Sequence, residues 1–157
     1  MKLRLLCVGK VKSAALHSLA EDYSARIRRF APFEIIPIRD GRAPEGADRL
    51  REEGEAIRRA LDPRDTGKFA GAVLWDEKGE EVDTRKFAGF LERALARPDS
   101  LDFVIGSSHG VADSLKRRIP RHFRLSAFTL THEWARALAL EQIYRAFCVL
   151  KGLPYHH

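Results

Sequence analysis

The sequence predicts an α/β fold in which a mostly parallel sheet is covered by helices on both faces. Apolar segments of strand length alternate along the chain with segments of helical periodicity, and this alternation is typical of parallel sheets. A length of 157 residues suits one domain with its own core, expected to span residues 1–157. A composition of 45% hydrophobic and 32% charged residues is ordinary for a globular protein.

The first half of the chain supplies two strands and two helices. LRLLCV, residues 3–8, is the first predicted strand, and Ser13 begins a helix that extends towards Phe30. FEIIPI is the second strand, where Pro37 cannot donate a ladder hydrogen bond and so indicates an edge position. ADRLREEGEAIRRAL carries apolar residues three and four apart, which predicts the second helix.

The second half continues the alternation. KFAGAVLWD is the third predicted strand and ends in a turn, DEKGEE, after which Asp83 or Thr84 caps a helix that extends towards Arg97. SLDFVIG is the fourth strand, VADSLKRR a short helix and FRLSAFTL the fifth strand. The last helix, HEWARALALEQIYRAFCVLKG, ends at Gly152 and Pro154.

The last helix has a predicted buried face and polar exceptions to it. The predicted buried positions are Trp134, Leu138, Ile143, Phe147 and Leu150. The exceptions are Arg136, Glu141, Gln142 and Arg145, which an exposed helix face would explain. Pro154 stiffens the backbone directly before Tyr155 and His156, so this closing pair is predicted to be held in position.

Charge and composition narrow the partners. A formal net charge of +6 favours a polyanionic partner such as nucleic acid. No apolar run approaches the roughly 20 residues of a membrane helix, and the N-terminus lacks the features of a signal peptide, so we expect no membrane association and a cytoplasmic location. Cys7 and Cys148 lie in apolar segments without nearby ligands, which predicts buried thiols and no metal site.

Ligands of open α/β sheets bind beyond the carboxyl ends of the strands. That rule selects three segments, LWDEKGE, IGSSHGVAD and LSAFTLTHEW. Neither a P-loop nor a G-x-G-x-x-G motif is present, which argues against a P-loop nucleotidase and a dinucleotide-binding protein.

A serine hydrolase is one alternative hypothesis, suggested by the segment IGSSHGVAD. Gly106, Ser108 and Gly110 satisfy G-x-S-x-G between a strand and a helix. The partners would be Asp113 or Glu133 with His132 or His156. The short chain, the absence of an HGGG-like segment and the closeness of Asp113 to Ser108 argue against it.

Several segments together resemble the RlmH family of SPOUT-class methyltransferases. They are MKLRLLCVGK, EDYSARIRRFAPFEIIPI, VLWDEKGE, FVIGSSHG, LSAFTLTHEWARALALEQIYRA and the terminal PYHH, and they cover essentially the whole chain. The resemblance implies a C-terminal trefoil knot, a homodimer and methylation of N3 of a pseudouridine in 23S ribosomal RNA, with the assembled ribosome or its large subunit as partner. It also implies S-adenosylmethionine as the cofactor.

The resemblance assigns roles to residues of this chain. The cofactor would lie among three loops that contain Trp75, Gly106, Ser126, Ala127, Phe128, Thr129, Leu130 and Thr131. Since an N3–H is a weak acid, His156 or Glu141 is expected to take its proton, while Tyr155 and Arg136 orient the base.

The chain also departs from the family pattern. Ser107 replaces a usual glycine, His109 is unusual, and Thr131 replaces the usual proline before His132. If position 107 needed a positive φ, serine would cost about 1 kcal/mol there. A catalytically silent RNA-binding dimer is therefore a second alternative.

Overall fold

The computed structural model describes residues 2–63, 66–67, 69–97 and 100–155. Five strands and five helices alternate along this part of the chain. They are β1 (Leu3–Val8), α1 (Ala14–Arg28), β2 (Phe33–Ile38), α2 (Ala47–Leu61), β3 (Ala72–Glu81), α3 (Thr84–Leu95), β4 (Leu101–Ile105), α4 (Asp113–Lys116), β5 (Arg121–Arg124) and α5 (His132–Leu150). The predicted alternation is confirmed, and Ser13 and Asp83 are the N-caps of α1 and α3.

The strands form one parallel sheet in the order β2-β1-β4-β3-β5. β2 is an edge strand, as Pro37 predicted. Alternate side chains of β1 enter two different apolar clusters, because successive residues of a strand point to opposite faces. One cluster joins the sheet to α1, α3 and α5, and the other joins it to α2 and α4. The predicted parallel sheet with helices on both faces is therefore confirmed.

β3 does not end where the sequence predicts. The segment 76–81, expected to be a turn, continues the strand, and the pairing with β5 shifts register between Trp75 and Glu80. Gly79 lies directly against the neighbouring backbone, since a Cβ there would stand 2.6 Å from the carbonyl carbon of Phe123. The glycine permits a bulge that local turn preferences cannot distinguish from a chain reversal.

β5 is also shorter than predicted. It ends at Arg124, and the rest of the predicted strand, 125–130, is a loop. The Ser126 hydroxyl oxygen accepts a hydrogen bond from the amide of Phe128 at 2.9 Å. Such a local bond competes with strand pairing, so a segment of good strand composition becomes a turn.

The predicted buried face of α5 is partly wrong. Ile143 and Phe147 are buried, but Trp134 is 55% exposed. The helix packs against both α1 and α3, and its buried surface therefore includes Ala137, Ala139, Leu140 and Ala146 as well. Arg136, predicted to lie on an exposed face, is buried because its guanidinium donates to the carbonyl oxygen of Gly9 at 2.9 Å.

Both cysteines are free and buried, as predicted. Burial raises the pKa of the Cys7 thiol to about 11, against the opposing effect of the nearby Arg136 guanidinium. Within the described part of the chain, no helix combines the length and apolar character needed to span a bilayer. The trefoil knot stays a prediction.

Candidate functional site

A cavity of about 280 Å³ opens at the carboxyl ends of β4, β5 and the buried part of β3, which is residues 72–75. Three chain segments line it: 74–77 from β3, 105–111 after β4, and 124–130 after β5 with the exception of Ala127. Lys116, His132 and Ala135 complete the lining. These are the three segments that the strand-end rule selects from the sequence, and the fold brings them together.

The loop after β4 is a tight turn that depends on glycine. A Cβ on Gly106 would lie 2.3 Å from the carbonyl oxygen of Gly110, so no larger residue fits without movement of the backbone. Gly110 has a φ of +80°, donates its amide to the carbonyl oxygen of Ser107 at 2.9 Å, and forms an isolated antiparallel bridge with that residue. The Ser107 hydroxyl accepts the amide of His109 at 3.4 Å. The substituted serine thus takes part in the turn.

The loop after β5 brings one exposed aromatic ring to the cavity. Phe128 is 84% exposed, while Ser126, Thr129 and Leu130 line the cavity beside it. Thr131 is the N-cap of α5, because its hydroxyl accepts a hydrogen bond from the amide of Trp134 at 3.4 Å. Ala127 and Thr131 are outside the cavity lining, and the other predicted cofactor residues, Trp75 and Gly106 among them, belong to it.

A charged network forms the wall of the cavity at the end of the regular part of β3. The Asp76 carboxylate receives Lys116 Nζ at 2.9 Å and the amide of Lys78 at 3.1 Å, and His122 Nδ1 lies 3.8 Å away. Burial opposes ionisation of Asp76, but the Lys116 ammonium and the Lys78 amide outweigh it and lower the pKa. The carboxylate is therefore ionised and paired at neutral pH.

Two histidines line the same cavity. His132 Nε2 is 3.5 Å from the carbonyl oxygen of Lys10. His109 Nδ1 is 3.2 Å from the Ser108 hydroxyl, and its Nε2 is 3.8 Å from Glu45.

The hydrolase alternative gains little from this geometry. Ser108, His109 and Glu45 are all exposed, so their contacts have no desolvated environment to strengthen them. Glu133, one of the nominated acids, accepts the amides of Ser13 and Lys12 at 3.0 and 3.1 Å and joins α5 to the start of α1. The hydrogen bond from the Ser13 amide is the main reason why the pKa of Glu133 is lowered.

Glu141 and Tyr155, both predicted to be catalytic, lie together outside the cavity. With Tyr23 and Arg145 they form a group that we call the terminal cluster. Arg145 donates to Glu141 Oε1 from Nη2 at 2.5 Å and from Nε at 2.9 Å. The Tyr155 hydroxyl lies 3.2 Å from the same oxygen and 3.0 Å from the Tyr23 hydroxyl. Burial, the Tyr23 hydroxyl and the Glu141 charge raise the pKa of Tyr155, so its hydroxyl stays protonated.

The residues that follow α5, which we call the tail, are also held through the backbone and the ring of Tyr155. Arg145 Nη1 donates to the carbonyl oxygen of Tyr155 at 3.3 Å, and its guanidinium lies 4.7 Å from the centre of the Tyr155 ring. Tyr144 packs edge-on against that ring at 4.8 Å. The closing residues are therefore positioned as far as Tyr155, whereas His156 lies outside the described residues.

Arg136 occupies a third place, at the carboxyl end of β1. Its residue surface is 8% exposed, one nitrogen donates to Gly9, and Nε is buried without a hydrogen-bond partner among the described residues. None of the described carboxylates forms an ion pair with it. A positive charge is thus held next to the strand that neighbours the cavity, with spare hydrogen-bonding capacity.

The predicted residues therefore separate into two groups. The cofactor residues that line the cavity are Trp75, Gly106, Ser126, Phe128, Thr129 and Leu130. Glu141, Tyr155 and Arg136 are not part of its lining within one chain. Sequence reasoning missed Lys116 and Asp76 as wall residues. The position of Asp76 directly after the apolar residues 72–75 was the signal that could have found it.

Comparisons with known proteins place the chain among methyltransferases. A family model described as "Predicted SPOUT methyltransferase" matches residues 1–156. Two similar proteins, from Geobacter sulfurreducens and Pelobacter propionicus, are each named ribosomal RNA large subunit methyltransferase H. They are 38% and 36% identical to the chain, and the alignments cover all of both chains. A methyltransferase structure from Legionella pneumophila with bound S-adenosylmethionine has a TM-score of 0.51 at 15% identity, over 93% of this chain and 66% of that one.

Proposed function

We propose, for a chain that belongs to the SPOUT methyltransferase family, that it methylates N3 of a pseudouridine in 23S ribosomal RNA with S-adenosylmethionine as the methyl donor. The observation that carries the proposal is the cavity at the carboxyl ends of β4, β5 and the buried part of β3, in which three separate segments meet. The similarity of the whole chain to proteins named ribosomal RNA large subunit methyltransferase H supports the choice of substrate.

The residues of the cavity fit a methyl-donor nucleoside. The absent side chain of Gly106 lets the carbonyl oxygen of Gly110 approach, so the loop after β4 closes tightly and holds its backbone groups at the cavity. Trp75, which lines the cavity, carries a buried indole N–H without a hydrogen-bond partner among the described residues. The bound cofactor would supply an activated methyl group. Trp75, Gly106 and the loop 126–131 would hold it, largely through backbone groups.

The protein's part in such a reaction is to position the acceptor and to remove its proton. A uracil-type N3–H is mostly protonated at neutral pH, so a base must take the proton as the methyl group arrives. We assign this step to His156, because a neutral imidazole is well matched to take such a proton, with Glu141 as the alternative acceptor directly or through water. The bonds from Arg145 and Tyr155 to Glu141 favour a positioning role for that carboxylate.

Tyr155 is proposed to orient the base, and the buried Arg136 is proposed to act on it indirectly. The Tyr155 hydroxyl stays protonated and donates its one proton to Glu141, so it would donate to a carbonyl oxygen of the ring by exchanging that partner when the RNA binds. Arg136 is too buried for broad contact with RNA, so its proposed role is to hold the end of β1 through Gly9. Its charge, unpaired among the described residues, would also favour the anion that develops on the acceptor.

We further propose that the active form is a homodimer in which the tail of one subunit serves the cavity of the other. Within one chain, Glu141 lies six residues beyond the cavity residue Ala135 on α5, a rise of roughly 9 Å, and the tail folds back beside it. Phe128 and Trp134 near the cavity, with Leu153 in the tail, are large apolar side chains left exposed. Such a surface is typical of a protein interface.

Complementation between two inactive variants tests the shared site. Gly106→Ala disables the cavity and His156→Ala disables the tail. If the tail acts in the partner's cavity, mixed dimers contain one intact site, and an equal mixture should regain about a quarter of the wild-type activity. If the tail acted in its own subunit, the mixture would stay inactive.

The proposed substrate is the assembled ribosome or its large subunit, which would place the protein in the cytoplasm. Basic side chains can hold RNA phosphates, but phosphate contacts carry no sequence information. Choice of one nucleotide then needs a folded RNA surface. We expect turnover on ribosomes and little turnover on naked ribosomal RNA. Equal rates on both would contradict this part of the proposal.

The direct test is transfer of labelled methyl from S-adenosylmethionine to ribosomes of a deletion strain, with mass mapping of the modified nucleotide. His156→Ala should lower this activity while cofactor affinity, measured by calorimetric titration, stays nearly constant. A wild-type protein that binds no S-adenosylmethionine in that titration would favour the silent RNA-binding dimer.

A further inference from the structure

A second cavity of about 280 Å³ lies at the opposite ends of the same strands. Val73 and Leu101, at the amino ends of β3 and β4, belong to its lining, together with Phe90 of α3. Along β3, Val73 is three residues from Asp76 of the first cavity, which is roughly 10 Å. The two cavities therefore open at opposite edges of one sheet.

Three arginines surround the second cavity. Arg93 in the last turn of α3 and Arg97 just after that helix are four residues apart, and both are exposed. Within the described part of the chain, neither guanidinium forms a hydrogen bond or an ion pair. Among the described carboxylates, Arg121 at the start of β5 pairs only with the exposed Glu80, at a long distance of 3.9 Å. The rim of this cavity therefore carries an excess of positive charge.

The floor of the second cavity is apolar and partly aromatic. Val73 and Leu101 are buried, and the Phe90 ring packs edge-on against Phe123 at 5.1 Å. The Arg121 guanidinium lies 5.3 Å from the centre of the Phe90 ring, and this contact keeps a flat cationic group beside the floor. A site for phosphate alone would need only the arginines of the rim and no apolar floor. A floor of this kind suits a flat, weakly polar group joined to the anion.

We propose that this second cavity binds one unstacked nucleotide of the substrate RNA, with its phosphate on Arg93 and Arg97 and its base on the floor beside Phe90 and Arg121. Unpaired arginines match phosphate geometry, and RNA-binding proteins commonly recognise unstacked bases with aromatic or guanidinium planes. The inference rests on the proposed function, because it takes the RNA to be the polyanion that the net charge of +6 favours.

The position of the second cavity would allow it to anchor the RNA at a point distant from the first cavity. An RNA held at the amino edge of the sheet is anchored away from the nucleotide that receives the methyl group. A second anchor would fix the direction of the RNA across the protein, because one contact point leaves rotation free. The second contact would also add affinity for the RNA.

The test is the salt dependence of binding to a short single-stranded oligoribonucleotide of mixed sequence, measured without cofactor. Arg93→Ala/Arg97→Ala should reduce the slope of log K against log salt by about 0.7, since the two arginines hold one phosphate and each phosphate contact to a single strand contributes that amount. The matched control is Arg51→Ala/Arg59→Ala, which removes the same charge from α2, where both arginines pair with carboxylates. The control slope should equal that of the wild type.

A charge-neutral variant tests the floor separately. Ala70 is exposed at the edge of the cavity, so Ala70→Trp should fill it and weaken RNA binding several-fold. Wild-type affinity in Ala70→Trp would overturn the base-binding floor, and an unchanged salt slope in the arginine variant would overturn the phosphate site. Equal competition by a polyglutamate peptide would overturn RNA as the ligand.

Methylation of ribosomes by the same proteins separates this inference from the proposed function. A wild-type protein that binds the oligoribonucleotide through Arg93 and Arg97 but transfers no methyl group would contradict the proposed function alone. A wild-type protein that methylates ribosomes, with variants that bind RNA normally, would contradict the second cavity alone.

Discussion

The first cavity and the terminal cluster are built from different kinds of group. The cavity is shaped by backbone turns, and its tightest point is the approach of Gly106 to the carbonyl oxygen of Gly110. The terminal cluster is a side-chain network in which one carboxylate, Glu141, accepts hydrogen bonds from Arg145 and Tyr155. The first arrangement depends on the backbone conformation that its glycines permit, and the second depends on particular polar side chains.

This contrast explains how the chain accommodates its departures from the family pattern. Ser107 and His109 stand in a turn whose essential features are the small Gly106 and the positive φ of Gly110, and both glycines are kept. A polar side chain at position 107 adds a hydrogen bond to the turn. We therefore expect cofactor binding to survive these substitutions, and the following variants test the contrast from the largest expected effect to the smallest.

Gly106→Ala should have the largest effect on the cavity. The added methyl group would meet backbone atoms, so the turn must open, at an expected cost of at least about 2 kcal/mol, or roughly 30-fold in the dissociation constant for S-adenosylmethionine. Calorimetric titration measures this. Gly89→Ala in α3 is the control, since its new Cβ would meet only the flexible end of Arg93. Equal affinity in Gly106→Ala would contradict a backbone-built site.

Glu141→Gln should have the largest effect on the terminal cluster. The amide keeps the shape of the side chain but loses the charge that Arg145 pairs with, and it places a donor where only donors approach. We expect a loss of about 2 kcal/mol in the free energy of unfolding, or about 4–8 °C in Tm. Thermal unfolding measures this, and cofactor affinity should not change. An affinity that fell together with Tm would show that the two regions are not independent.

Tyr155→Phe should have a smaller effect on stability and a clear effect on turnover. It removes the hydroxyl that contacts both Glu141 and Tyr23, at a cost of about 1 kcal/mol. We expect kcat on ribosomes to fall roughly 10-fold through loss of positioning. Tyr23→Phe is the matched variant, because it breaks the same contact between the two tyrosines and leaves the Tyr155 hydroxyl in place. A kcat equal in both variants would contradict a direct role for Tyr155.

The smallest effect concerns the acid side of the stability profile. The pKa of Asp76 in the folded protein lies below its ordinary value of 3.8, because the Lys116 and Lys78 contacts outweigh burial. Its ion pair therefore contributes stability above that pH and loses it as the pH falls through the folded value. Asp76→Asn should be less stable than the wild type at pH 7, and the difference should shrink below about pH 4. A constant difference in Tm across this range would contradict the assignment.

The order of the elements could be predicted from local sequence alone. Ser13 and Asp83 cap helices through their own side chains, and Pro37 excludes a central strand position, so no distant contact is needed to identify these features. The end of β3 failed for the opposite reason, because the bulge at 76–80 depends on the contact of Gly79 with the distant Phe123. The end of β5 failed because a local turn at Ser126 replaces strand pairing in a segment of good strand composition.

The sequence by itself determined the parallel α/β architecture, the family, and the three segments that come together at one edge of the sheet. Only the tertiary structure decided that Arg136 is buried, that Trp134 is exposed, and that Glu141 and Tyr155 lie apart from the cavity of their own chain. Periodicity and capping are properties of neighbouring residues and can be read locally. Burial and hydrogen-bond partners depend on residues more than a hundred positions away, such as Gly9 for Arg136 and Tyr23 for Tyr155.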